Sequence, residues 1–144
     1  NFGKLMFPKN LSPDQLNTIS KNTLLSHIGI VFTEIGEDYI TAKMPVNSTT
    51  SQPMGILHGG ASVTMAESIG SVGSHILIDN EKESAVGIEI NANHISSIKN
   101  GFVFGTGKMI HKGKSTHIWS IEIKDEKDKL VSISRLTVMI LKKA

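Results

Sequence analysis

Cysteine is absent from the chain, which removes disulfide scaffolds, thiolate zinc sites and thiol nucleophiles at once. Arginine is nearly absent. Fourteen of the fifteen basic residues are lysine and only Arg135 is arginine, so bidentate guanidinium reading of bases is almost unavailable. Charge of one sign is lacking too. Fifteen basic and thirteen acidic residues leave a net charge of +2, too mild to mark a nucleic-acid partner. No apolar run approaches the roughly eighteen residues that span a bilayer, so no membrane partner is expected. The opening stretch, NFGKLMFPKN, has no long apolar segment and no small-residue cleavage site, and no signal peptide is expected. Zero cysteine is compatible with a reducing cytoplasm, the expected location. What remains is chain enough for one ordinary domain: 144 residues, 39% hydrophobic and 19% charged, expected to fold as a single domain over 1–144.

There are no internal repeats, low-complexity segments or linkers. Residues 12–22 open with Ser12 as an N-cap, Pro13 at the first helical position and Asp14 in the first turn, and read as a short helix. Residues 28–35 and 39–46 read as strands around a Gly36-Glu37-Asp38 turn; in the second, Ile40, Ala42, Met44 and Val46 alternate with other residues. A turn-rich loop, 47–55, leads into a long segment, 56–78, where Ala61, Met65, Ile69, Val72 and Ile76 form one apolar stripe at helical spacing. Four strand patterns follow, at 85–95, 102–111, 116–124 and 130–141. His117, Trp119, Ile121 and Ile123 share one face of the third. A long helix against a largely antiparallel sheet is an α+β, two-layer arrangement.

The long helical segment carries unusually little charge. Between Ile56 and Ile78 the only ionisable residues are His58, Glu67 and His75. The helix face holding Glu67 holds Gly60, Val63, Thr64, Gly70, Ser71 and Ser74, mostly small residues that suit close approach by a backbone or a ligand. A lone carboxylate on such a face points to a site, although a plain surface acid fits the pattern equally well. The helix start adds weight. His58-Gly59-Gly60 places unpaired N–H groups at the positive end of the helix dipole, where a carbonyl oxygen gaining charge in acyl transfer is stabilised. Gln52 in the preceding loop offers a second donor. Gly59 and Glu67 are separated by about 12 Å along one helix, at 1.5 Å per residue. One carbonyl cannot touch both, so a joint action on one substrate requires Glu67 from a second, oppositely running helix and hence a symmetric dimer.

Two motif likenesses fail on context. Ala66-Glu67-Ser68-Ile69-Gly70 resembles a nucleophile elbow, but that motif needs a strand and a sharp turn where this pattern is helical. Gly113-Lys114-Ser115 mimics the end of a phosphate-binding loop, but Lys108 stands where its first glycine belongs and a strand pattern follows. The six histidines lack metal-ligand spacing, so no metal is expected. His27, His75 and His117 read as core-edge or surface residues.

The run Gln52-Pro53-x-Gly55-x-x-His58-Gly59-Gly60, with Glu67 eight residues after Gly59 and then Ser71, resembles the hotdog-fold acyl-CoA thioesterases. The likeness covers roughly residues 14–141. It is strongest to the dihydroxynaphthoyl-CoA and hydroxybenzoyl-CoA group, through LHGGASV, MAESIGSV, VGIEINANH and the W-x-IEI-x-DEK stretch. The resemblance implies a hotdog fold, a long central helix wrapped by a curved antiparallel sheet, with two chains forming one continuous double sheet and dimers pairing into a homotetramer. It implies that the Gly59 N–H polarises the thioester carbonyl, that Gln52 assists, and that Glu67 of the partner chain attacks as nucleophile or activates water as base. Ser71 positions that carboxylate or the water, His58 orients the loop near the leaving sulfur, and Ser68 lines the acyl pocket.

For coenzyme A the resemblance implies Gly87, His94, Ser96 and Ser97, and the turn His111, Lys112, Gly113, Lys114, Ser115 and Thr116, whose lysines and small donors suit phosphates. Each lysine taken singly also reads as part of a basic hairpin turn. Ser96 stands where naphthoyl members carry an arginine. The expected activity is therefore hydrolysis of an acyl-CoA thioester, with an aromatic acyl group and no cofactor, coenzyme A being part of the substrate. A broad-range aliphatic acyl-CoA thioesterase and a non-catalytic acyl-CoA sensor are the alternatives on the same fold. An intact Gln52, Gly59 and Glu67 set argues against the sensor.

Overall fold

A computed structural model describes residues 7–144. Helix α1, Pro13–Ile19, starts where the capping pattern places it, and the Ser12 N–H donates to Gln15 Oε1 at 2.8 Å. A four-residue helix, α2, Leu24–His27, follows. Strands β1, Val31–Ile35, and β2, Tyr39–Pro45, form a hairpin. The central helix α3 runs Gly59–Leu77, and four strands complete the chain: β3, Glu83–His94; β4, Phe102–Lys112; β5, Thr116–Asp125; and β6, Leu130–Lys142. All pairings are antiparallel, in one six-stranded sheet of order β1-β2-β4-β5-β6-β3. The α+β expectation holds.

One sheet face supplies the core. Ile40, Ala42 and Met44 of β2, Val103 of β4, Trp119, Ile121 and Ile123 of β5, and Leu136 and Val138 of β6 are all fully buried. The period-2 alternation of these strands sends each of these side chains to the same side. Helix α3 lies across that face and touches β2 through β6. Its fully buried Met65 and Ile69 each contribute about 1.5–3 kcal/mol by leaving water. The helix seats deeply because the sheet beneath it is locally bare. A Cβ on Gly107 would stand 2.6 Å from Ile69 and one on Gly105 2.8 Å from it; on the helix itself, one on Gly73 would stand 2.4 Å from the Trp119 ring.

Three expectations need correcting. The buried face of α3 is Ser62, Met65, Ala66, Ile69, Gly70, Gly73 and Ser74, so Ala61, Val72 and Ile76 only flank it. Gly70 and Ser74, grouped by spacing with Glu67, are buried instead; Gly70 packs against Leu136 and Trp119, and the Ser74 hydroxyl accepts from Trp119 Nε1–H at 2.8 Å. The alternation in β3 breaks at a bulge: Gly87 pairs with Val138 and Glu89 with Thr137, leaving Ile88 unpaired. Val86, Ile88 and Ile90, which alternate in the sequence, therefore do not share one face: Val86 and Ile88 are exposed, whereas Ile90 is half-buried.

Candidate active site

The loop before α3 is held by backbone pairing at both ends. His58 N–H donates to the Thr50 carbonyl at 2.8 Å, and Leu57 N–H to the Ile98 carbonyl at 2.8 Å. The second bond fastens this loop to the segment after β3. That segment is itself tied to β6 by the Ile95 N–H on the Val131 carbonyl, 2.8 Å. Between the two segments lies a cleft of about 350 Å³, lined among others by Gln52, Gly59, His94, Ser96 and Ser97. The structure thus brings together five of the expected residues that are distant in sequence.

The donor chemistry of this cleft follows from the N-terminus of α3. His58 is its N-cap, and Nδ1 accepts from the Gly60 N–H at 2.7 Å. The N–H groups of Ala61 and Ser62 turn back to the His58 carbonyl. Among the described residues the Gly59 N–H has no partner, so one main-chain donor at the positive helix end is left over. Gln52 complements it. Its Oε1 accepts from the Met54 N–H, which leaves the Nε2 donors of the carboxamide for the cleft. His94 stands directly over Gly59: a Cβ there would meet His94 Nε2 at 2.7 Å, so glycine is what lets the imidazole approach. The Ser96 hydroxyl is turned inward and donates to the Leu130 carbonyl at 2.5 Å.

The carboxylate is elsewhere. Glu67, half-buried, lines a second cleft of about 340 Å³ with Ser68, Ser71, Thr64, Leu24 and Leu25. It has no hydrogen-bond or ion-pair partner among the described residues, and its carboxyl group lies beside Gly87, 3.3 Å from where a Cβ would stand. Ser68 and Ser71 share this cleft with it as the spacing suggests. Ser68 donates to the Thr64 carbonyl at 2.7 Å, within an unbroken helix and far from any elbow geometry. One chain therefore holds a donor cleft at the start of α3 and an unpaired carboxylate about two turns further on.

The remaining basic turn is far from the donor cleft. His111 through Thr116 form the β4–β5 hairpin, closed by Gly113 N–H on the Thr116 carbonyl at 2.8 Å, with both lysines exposed. On β6, Ser132 faces His94 and Met139 faces Thr116, a span of about 23 Å at 3.3 Å per residue. Within one chain His94, Ser96 and Ser97 lie at the opposite end of the sheet from this hairpin, whereas Gly87 faces Val138 towards the hairpin end, beside Glu67. Sequence reasoning missed the α2 turn altogether. Its only sequence signal is Leu24-Leu25, an apolar pair inside a polar stretch, too short to show any period.

Main-chain and amide donors at a helix start, with a carboxylate on the same helix, are equipment for attack on an acyl carbonyl, carried on an α+β fold of the hotdog type. The comparisons with known proteins agree. The Thioesterase superfamily profile matches residues 54–132. The 1,4-dihydroxy-2-naphthoyl-CoA hydrolase of Escherichia coli is 44% identical over 137 residues, 95% of this chain and 100% of that protein. The crystal structure of a glutamine-to-alanine mutant of a Pseudomonas aeruginosa thioesterase superposes with a TM-score of 0.93 at 38% identity, covering 96% of this chain and 99% of that one. A Haemophilus influenzae thioesterase gives 0.90 at 39% identity over 95% of each chain. The chain belongs to the thioesterase superfamily and is a thioester hydrolase of the hotdog fold.

Proposed function

We propose that the enzyme hydrolyses an acyl-CoA thioester with an aromatic acyl group at a site assembled from two chains. The observation that carries this reading is the separation of the carbonyl donors from the carboxylate on one helix. β3 is a sheet edge twelve residues long, and it leaves Val86 and Ile88 exposed. A long edge with apolar residues invites pairing with another strand. Antiparallel pairing of β3 with its copy reverses the second chain and sets its Glu67 against the first chain's Gly59 and Gln52. The same reversal sets the His94–Ser97 segment of one chain near the basic hairpin of the other, which supports nucleotide binding between them.

In the reaction, the Gly59 N–H and Gln52 Nε2 hold the thioester oxygen as it gains charge. Glu67 then acts by one of two routes. It adds to the carbonyl carbon, expelling the coenzyme thiolate and leaving an anhydride that water cleaves, or it takes a proton from the water that adds. Ser71, one turn further along α3, orients carboxylate or water in both routes. His58 fixes the donor loop. No cofactor or metal enters. An aromatic acyl group is supported by the likeness to the E. coli hydrolase, and a tetramer of two dimers by the family resemblance. A coenzyme A thioester is an intracellular metabolite, so the reading carries a cytoplasmic location with it.

Glu67→Gln tests the assignment. It keeps the size of the side chain and removes its charge. The kcat on the best substrate of an acyl-CoA panel is expected to fall at least about a hundredfold, the lower end for losing a general base. KM should hardly move. Turnover within a few-fold of wild type would return Glu67 to the role of an ordinary surface acid.

A further inference from the structure

The Glu67 cleft has a wall that the reaction above does not use. That wall is α2, a four-residue helix that buries none of its side chains fully. Leu24 is 57% exposed, a large apolar side chain facing the same space as the carboxylate. The turn is nonetheless fixed in place. Thr23 Oγ1 donates to the Ser20 carbonyl at 2.6 Å, and the Ile30 N–H donates to the Leu25 carbonyl at 2.9 Å. Asn22 before it and Gly29 after it hold left-handed backbone, φ 60° and 81°. A Cβ on Gly29 would stand 2.8 Å from Pro45, so the exit of the turn lies tight against β2. The leucine pair is thus presented by a braced segment.

The facing wall is α3, and its polar groups are partly silenced. The Thr64 hydroxyl donates to the Gly60 carbonyl at 2.8 Å and the Ser68 hydroxyl to Thr64, so neither proton is offered to the cleft. Val63 and Val72 complete an apolar lining around one unpaired carboxylate. A molecule reacting at Glu67 must place an apolar body between this wall and the leucines. The volume, about 340 Å³, is at the small end of the range for ligand pockets, where the bulk of one side chain decides fit.

We propose that Leu24 and Leu25 are specificity-determining residues that gauge the size of the acyl group. The inference rests on the reading of Glu67 as the reacting carboxylate. A side chain that narrows the cleft excludes long or fused-ring acyl groups and spares short ones. One that shortens the wall does the reverse.

The test is kcat/KM for wild type, Leu24→Phe, Leu24→Ala and Leu25→Ala on acetyl-, hexanoyl-, decanoyl-, benzoyl- and naphthoyl-CoA. Relative to acetyl-CoA, Leu24→Phe should lose about tenfold or more on the naphthoyl and decanoyl thioesters, the scale of a methylene-sized misfit in an apolar pocket. The alanine variants should shift the optimum towards larger acyl groups. Leu24 is exposed, so its variants keep the proposal testable even if half-buried Leu25→Ala fails to fold. Ratios that stay within about twofold of wild type in folded Leu24 variants, with Glu67→Gln inactive, overturn the gauge and leave the site standing. Full activity of Glu67→Gln overturns both.

Discussion

At the scale of single residues, a buried histidine is expected to contribute to the acid response. The Ser74 hydroxyl bridges Trp119 Nε1–H and His117 Nδ1, each at 2.8 Å, inside the contact between α3 and the sheet. Because Ser74 Oγ accepts from the indole, it can donate its one proton to Nδ1 of a neutral His117. Burial lowers the His117 pKa below the usual histidine value, Lys112 and His111 lower it further, and Glu83 opposes them. A histidine kept neutral in the fold takes up its proton more readily when unfolded. Its contribution to stability is therefore complete above the unfolded pKa, about 6.5, and is lost as pH falls below that towards the depressed native value. Urea midpoints are expected to drop between about pH 7 and about pH 5. His117→Gln should lower the midpoint at neutral pH and flatten that slope. An unchanged slope would place the acid sensitivity in other groups.

At the scale of elements, the seating of α3 is decided by competing terms of known size. Intrinsic propensity favours alanine over glycine inside a helix by about 1 kcal/mol. At Gly73 the added methyl would meet the Trp119 ring at 2.4 Å, and Trp119 is fully enclosed. Overpacking of this kind costs about 1–3 kcal/mol, so packing should win. Gly73→Ala is expected to destabilise in urea; a gain in stability would mean that the helix lifts freely. This glycine also shows what the sequence can and cannot reveal. Period-2 and helical patterns found β2, β5 and most of α3, because each has one face in the core and its alternation is unbroken. The bulge at Ile88 was invisible, since an alternating run looks the same until pairing with β6 shows which residue was skipped. The same holds for Gly70 and Ser74, which share a spacing with Glu67 but are claimed by Trp119. The Gly59–His94 contact joins residues far apart in sequence, and only the family likeness placed them in one site. Nothing in the sequence placed Leu24 opposite Glu67.

At the scale of the whole molecule, the proposal of a site shared between chains predicts that defects are complementable. Gln52→Ala damages the donor half and Glu67→Gln the carboxylate half. On that proposal, two such variants mixed and allowed to exchange subunits should form mixed dimers in which one site carries both lesions and the other neither. At equal amounts, about a quarter of wild-type sites should reappear. Activity no higher than the sum of the two variants alone would confine each site to one chain. Light scattering should meanwhile find no active monomer. Trp119 makes these experiments easier to follow. It is the only tryptophan in the chain, and it is stacked on Phe7 at 6.3 Å and bonded to a hydroxyl of the central helix. Its fluorescence therefore comes from a single dry position between the two layers. Any loosening of helix from sheet should register as a red shift in emission, whether it comes from acid, urea or substitution. The protein carries its own optical gauge of that gap, with no added label.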